Sequence, residues 1–165
     1  MSTVILGMIL GISILKLKDK LDDNEKRQSY YYSTEGRKQN GTIIKELYQD
    51  LVTMFYIKKP GKFIGPLEPL NNTHVLKNLV MVDDNESYTI NKKVIHLCTK
   101  DPKNGRYYNK NTLMYVILHE LAHVLCNDIG HTENFSRIYT ALLEHAIKYD
   151  YYDPSQPFVK NYCSL

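Results

Sequence analysis

The sequence predicts a single α+β domain, a short antiparallel sheet followed by two long helices, set behind an apolar N-terminal segment. Three observations lead there. A helix-length apolar run, MYVILHELAHVL, carries the cluster HELAH at residues 119–123. Short runs rich in Val, Ile, Leu and Tyr lie between residues 74 and 98, divided by the turn-forming segments DDNE and NKK. The 165 residues are 43% hydrophobic, enough for one compact domain with its own core plus a tail or anchor.

The elements follow in chain order. Met1 to Leu15 carry no charged side chain, and Lys16, Lys18 and Lys20 come directly after. A spanning helix needs about 20 apolar residues, with a lower limit of roughly 17. Residues 1–17 reach that limit if Lys16 snorkels. They are expected to form an N-terminal hydrophobic helix that serves as a short uncleaved membrane anchor, with a buried terminal helix as the alternative. The lysines would keep the following domain on the cytoplasmic side. Residues 18–41 are polar and mixed in charge and read as a linker or a frayed helix. The domain is expected over residues 42–165.

From Thr42 the pattern turns helical. Ile44, Leu47, Leu51, Met54 and Phe55 recur at helical spacing, so TIIKELYQDLVTMFYIK is an amphipathic helix ended by Pro60 and Gly61. HVLKNLVMV, residues 74–82, reads as a strand, and SYTI and VIHLC, separated by NKK, as a hairpin or one bent strand pair. Asn111 is the expected N-cap of a helix from Thr112 to about Cys126. Gly130 marks a turn, and Phe135, Ile138, Leu142, Leu143 and Ala146 mark a second amphipathic helix. The Tyr- and Pro-rich tail from Tyr149 is expected to pack over the body as an extended strip.

Charge and cysteine usage narrow the function. A net charge of +3 without a concentrated basic stripe gives little support for a nucleic-acid partner. Cys98, Cys126 and Cys163 form no C-x-x-C pair, which excludes a cysteine zinc ribbon. Their odd number and wide spacing argue against a disulfide framework and for a reducing compartment. Cys98 and Cys163 read as small apolar residues.

The chemistry lies in VILHELAHVLCNDIGHTENF, residues 116–135. On a helix His119 and His123 stand one above the other on one face, where both rings can reach one zinc ion. Glu120 lies about 100° around the helix. From there it reaches a water on the metal, whose pKa zinc lowers to about 7, and can act as its general base. Charged and polar groups inside so apolar a run need a partner such as a metal. A catalytic zinc takes a third protein ligand. Cys126, seven residues beyond His119, is about 10.5 Å away along the axis and is rejected. His131 and Glu144 both remain. The short loop bearing Gly130 favours His131, since glycine permits the sharp reversal. His145 reads as a helix-surface residue or one that touches a ligand, His74 and His96 as structural strand residues, and Glu133 as an exposed first-turn carboxylate.

HELAH at residues 119–123 followed by GHTENF at residues 130–135 resembles the zincin metallopeptidases, and among them the WLM and SprT-like families. The resemblance implies a zincin-like domain with His119, His123 and His131 as zinc ligands, Glu120 as base and Phe135 in the core beneath the third ligand. INKKVIHLCTKD, NTLMYVILHELAHVLC and the ending DP…YC are also similar to small metallopeptidase-like proteins of large DNA viruses. The implied activity is zinc-dependent hydrolysis of a protein or peptide substrate. VIHLC, residues 94–98, is the expected edge strand for pairing with that substrate. Tyr151 and Tyr152 are among the candidate oxyanion donors. The alternatives are a non-catalytic zinc-binding or membrane-associated scaffold, and a DNA-dependent protease of protein–DNA crosslinks.

Overall fold

The computed structural model describes residues 41–59 and 61–163. The expected anchor over residues 1–17 lies outside them, as do Pro60 and the expected linker apart from Gly41. Among the described residues no helix is long and apolar enough to cross a membrane.

Helix α1, Gly41–Val52, buries Ile44, Leu47 and Leu51, the stripe that its spacing predicts. It widens into a π-helical turn over Thr53–Ile57. The Thr53 hydroxyl donates to the Gln49 carbonyl at 2.8 Å, and the Lys58 N–H reaches back five residues to the Thr53 carbonyl. A hydroxyl competing for a helical carbonyl explains why the regular ladder gives way here. Met54 and Phe55 stay buried through the turn. A 3₁₀ helix, Gly65–Asn71, follows and buries Leu67 and Leu70.

The strand expected over residues 74–82 splits in two. Helix α2, His74–Lys77, comes first, and β1 begins only at Val80. The Asn72 side chain accepts the His74 N–H at 3.0 Å, which starts a helical turn instead of an extended run. His74 is therefore an exposed helical residue.

Strands β1 (Val80–Asp83), β2 (Tyr88–Ile90) and β3 (Val94–Leu97) form one sheet in the order β1-β3-β2. The β2–β3 hairpin is as expected. Asn91 and Lys92 have φ of 49° and 54°, the paired left-handed residues of a tight hairpin turn. The sheet, however, is mixed, because β1 runs parallel to β3 and only β2 is antiparallel to it. The segment Asp84–Ser87 carries the chain across the end of β3. There the Asp84 N–H bonds the Leu97 carbonyl and the Cys98 N–H bonds the Ser87 hydroxyl. Two strand spacings are about 10 Å, which four residues can span.

Helix α3, Lys110–Leu125, is buried on nearly every side, between β2 and β3 on one flank and helix α4, Glu133–Lys148, on the other. Its N-cap is Asn109, whose side chain accepts the Thr112 N–H at 2.7 Å. Asn111 instead exchanges hydrogen bonds with the backbone of Asp153. Thr132 caps α4, which buries Phe135, Ile138, Leu142 and Ala146. His145 leaves the metal question altogether: its ring stacks on Phe55 and bonds the Met54 carbonyl.

The tail runs through turns and not as a straight strip, and it brings Tyr162 into the core. The Tyr162 hydroxyl donates to the Cys98 carbonyl at 2.6 Å and meets the Ser87 hydroxyl at 3.0 Å. Beside it Cys98 and Cys163 form a disulfide, with Cα atoms 6.3 Å apart. The expectation of unpaired cysteines is thereby corrected, and the argument from cysteines for a reducing compartment goes with it. A pair 65 residues apart in sequence is joined only by the return of the tail. Cys126 remains as a buried free thiol.

Candidate metal centre

Three side chains meet in the groove between α3 and α4. His119 and His123 project from α3 toward α4, as their spacing of four requires. His131 comes from the connecting loop. Gly130 has a φ of +82°, a left-handed conformation that turns the chain back over the helix, as the sequence suggested. One nitrogen from each ring lies within 4.8 Å of one from each of the others. The Nε2 atoms of His119 and His131 are 2.9 Å apart. Two nitrogens bound to one tetrahedral zinc at about 2.0–2.1 Å are roughly 3.3 Å apart, so small ring adjustments would accommodate an ion.

The electrostatics fit a cation. Burial, reinforced by the neighbouring rings, pushes His119 down to about 2. Burial, with His131 and Lys92 nearby, pushes His123 down to about 3. Burial lowers His131 as well. All three are therefore neutral at neutral pH, the form that ligates metal. The Nε2 of His123 is buried and has no hydrogen-bond partner. An orphaned acceptor of this kind is costly, and a metal ion would satisfy it.

The floor is aromatic. The Phe135 ring packs against all three imidazoles, with centroids 4.9, 4.4 and 4.5 Å from His119, His123 and His131. Tyr139 meets His119 edge-on at 5.1 Å, while its hydroxyl donates to the Tyr115 carbonyl. Lys92, from the β2–β3 turn, donates to the Cys126 carbonyl at the end of α3, where a cation complements the helix dipole.

Glu120 is fully buried beside the cluster. Burial pushes its carboxyl up to about 8, against the pull of the Thr89 hydroxyl, which lies 2.7 Å from Oε2. The other oxygen, Oε1, has no hydrogen-bond partner. A divalent ion nearby would draw this pKa back down by its charge.

The sequence-derived candidates therefore divide. His119, His123 and His131 come together, and Glu120 stands next to them. Glu144 is exposed on α4 and outside the cluster. Tyr152 packs on Tyr115, and Tyr151 lies under Lys58. VIHLC is not an edge strand: β3 is paired along both sides, so its backbone groups are already engaged and cannot receive a substrate strand. Thr89 and Tyr139 were missed. Thr89 reads in sequence as an ordinary strand residue, and nothing local marks its contact with a carboxylate 31 positions away.

Comparison with known proteins places the chain among viral proteins. It is 51% identical over 162 residues to the uncharacterized protein 042R of Invertebrate iridescent virus 3, covering 98% of each chain. It is 49% identical over 104 residues to the uncharacterized protein 136R of Invertebrate iridescent virus 6, covering 62% of this chain and 58% of that one. It is 39% identical over 137 residues to the uncharacterized protein R325 of Acanthamoeba polyphaga mimivirus, covering 75% of this chain and 64% of that one. No protein-family model and no solved structure matches it.

Proposed function

The chain belongs to the same family as the iridescent-virus protein 042R, and we propose that it is a zinc-dependent metallopeptidase that hydrolyses peptide bonds. The observation that carries this reading is a cluster of three neutral imidazoles, with a buried, unpartnered carboxylate oxygen on Glu120, the residue next to His119 in the chain. Among the described residues no fourth His, Cys, Asp or Glu joins the three. A structural zinc is closed by four protein ligands, whereas a catalytic one keeps a position open. All three ligands are imidazoles, a donor set that suits zinc better than calcium or magnesium, which take oxygen.

His119, His123 and His131 would hold the ion. When bound, zinc would lower the pKa of a water toward 7 and polarise the scissile carbonyl. Glu120 then works as the proton carrier. Its free Oε1 takes a proton from the water as the oxygen adds to the carbonyl carbon. It returns that proton to the amine nitrogen as the C–N bond breaks. The chemistry of the site, like the HELAH…GHTENF resemblance, supports a zincin-type peptidase.

The test uses the full chain loaded with zinc and a broad peptide library. Cleavage by the wild type, with Glu120→Gln keeping one zinc and losing about 10²-fold or more in kcat, is the expected result. A zinc-loaded wild type silent on every peptide would turn the reading toward the non-catalytic scaffold. Cleavage only in the presence of DNA, lost steeply with salt, would turn it toward the DNA-dependent protease.

A further inference from the structure

We infer that Thr89 is the residue that positions Glu120, holding one carboxylate oxygen so that the other is presented for proton transfer. The inference rests on the peptidase reading and concerns the same site.

The sheet makes the case. Along β2, Tyr88 and Ile90 join Val80, Val82 and Val94 in a cluster on the face away from α3. Thr89 points the other way, toward α3. In register it sits beside Ile95, which in turn sits beside Met81. Met81, Ile95 and Leu97 on that face all belong to the main apolar core. A hydroxyl in such a row costs free energy unless it has a partner. Its partner is Glu120: Oγ1 lies 2.7 Å from Oε2 and 3.1 Å from the Glu120 backbone carbonyl. The hydroxyl has one proton, and the shorter contact, to the side-chain carboxyl oxygen, is the stronger one.

The terminal torsion of a glutamate is broad and nearly two-fold, so the carboxylate plane is not set by its own chain. One hydrogen bond to Oε2 sets it. Because Oε1 has no partner, the two oxygens are unequal: one is anchored and one is available. A residue that merely satisfied a buried acid would affect stability. A residue that orients the base affects kcat with zinc content and KM preserved.

The experiment compares full-length wild type, Thr89→Val and Thr89→Ser, each with zinc content measured. The Glu120 side-chain carboxyl ¹³C resonance is recorded at fixed pH, assigned by its disappearance in Glu120→Gln. Thr89→Val, which keeps the shape and removes the hydroxyl, is expected to lose about tenfold in kcat with one zinc retained and KM within about threefold. Its Glu120 resonance should move, and Thr89→Ser should restore both rate and resonance. An unmoved resonance in Thr89→Val, or an unchanged kcat, overturns the inference. Failure of the serine variant to restore either readout overturns it as well, by showing that packing and not the hydroxyl mattered. A wild type that binds zinc, shows the resonance shift on Thr89→Val and cleaves nothing would sink the peptidase reading while leaving the hydrogen bond established.

Discussion

Metal binding should be visible as stability before any substrate is known. The metal-free protein brings together three neutral imidazoles, His119 buried and His123 and His131 half-buried, with His123 Nε2 unpartnered. An ion that binds this arrangement and not the unfolded chain stabilises the fold by RT ln(1 + [L]/Kd). That is about 2.7 kcal/mol when free zinc is held at a hundred times Kd. For a chain of 165 residues, 1 kcal/mol moves Tm by about 3 °C, so the expected rise is about 8 °C. Scanning calorimetry with buffered free zinc against excess chelator measures it directly, with magnesium as the control cation. His131→Ala should lose most of the rise, because two ligands cannot hold the ion as three do. Glu144→Ala should keep it in full, since Glu144 is exposed outside the cluster. Equal Tm with zinc and with chelator would refute the metal argument. So would a rise that survives His131→Ala.

Three further outcomes follow from the packing. Phe135→Ala removes the ring that touches all three imidazoles and should cost about 3–5 kcal/mol in urea denaturation; Phe135→Leu should cost less and still weaken zinc binding in a competition titration. Reducing the Cys98–Cys163 disulfide reopens a loop spanning 65 residues and should destabilise the fold by about 4 kcal/mol, read as a lower urea midpoint that Cys98→Ala matches and reductant no longer changes. Burial alone would raise the Asp84 carboxyl, but the His96 ring, the Asn85 N–H and the Tyr88 hydroxyl outweigh it and hold it well below the usual carboxylate range. The unfolded chain, with an Asp pKa of about 3.9, then binds the proton more readily. The stability that Asp84 supplies is present above pH ~4 and is lost as pH falls below it, so urea midpoints of Asp84→Asn should fall less between pH 6 and pH 3 than those of wild type.

The sequence by itself determined what depends on nearby residues. The four-residue spacing of His119 and His123 sets one helix face whatever surrounds it. Gly130 could be read as the reversal that returns His131, because only the local backbone decides a left-handed turn. The helical stripe of Ile44, Leu47 and Leu51 and the hairpin at Asn91 and Lys92 were legible for the same reason. Neighbouring signals competed at His74: the apolar run favours a strand, but the Asn72 side chain, by accepting the His74 N–H, starts a helical turn.

Only the tertiary structure decided what joins distant parts of the chain. Strand order is one case, since a hydrophobic run carries no record of whether β1 lies beside β2 or beside β3, and β3 proved to be central. The pairing of Cys98 with Cys163 is another, made by the docking of Tyr162 and not by spacing. The contact of Thr89 with Glu120 is a third. It arises because a strand with one polar inward residue crosses a helix with one buried acid. Helix spacing and one local turn place the three histidines. The surroundings that tune them come from contacts between elements, whose free energy is set by burial and geometry in three dimensions.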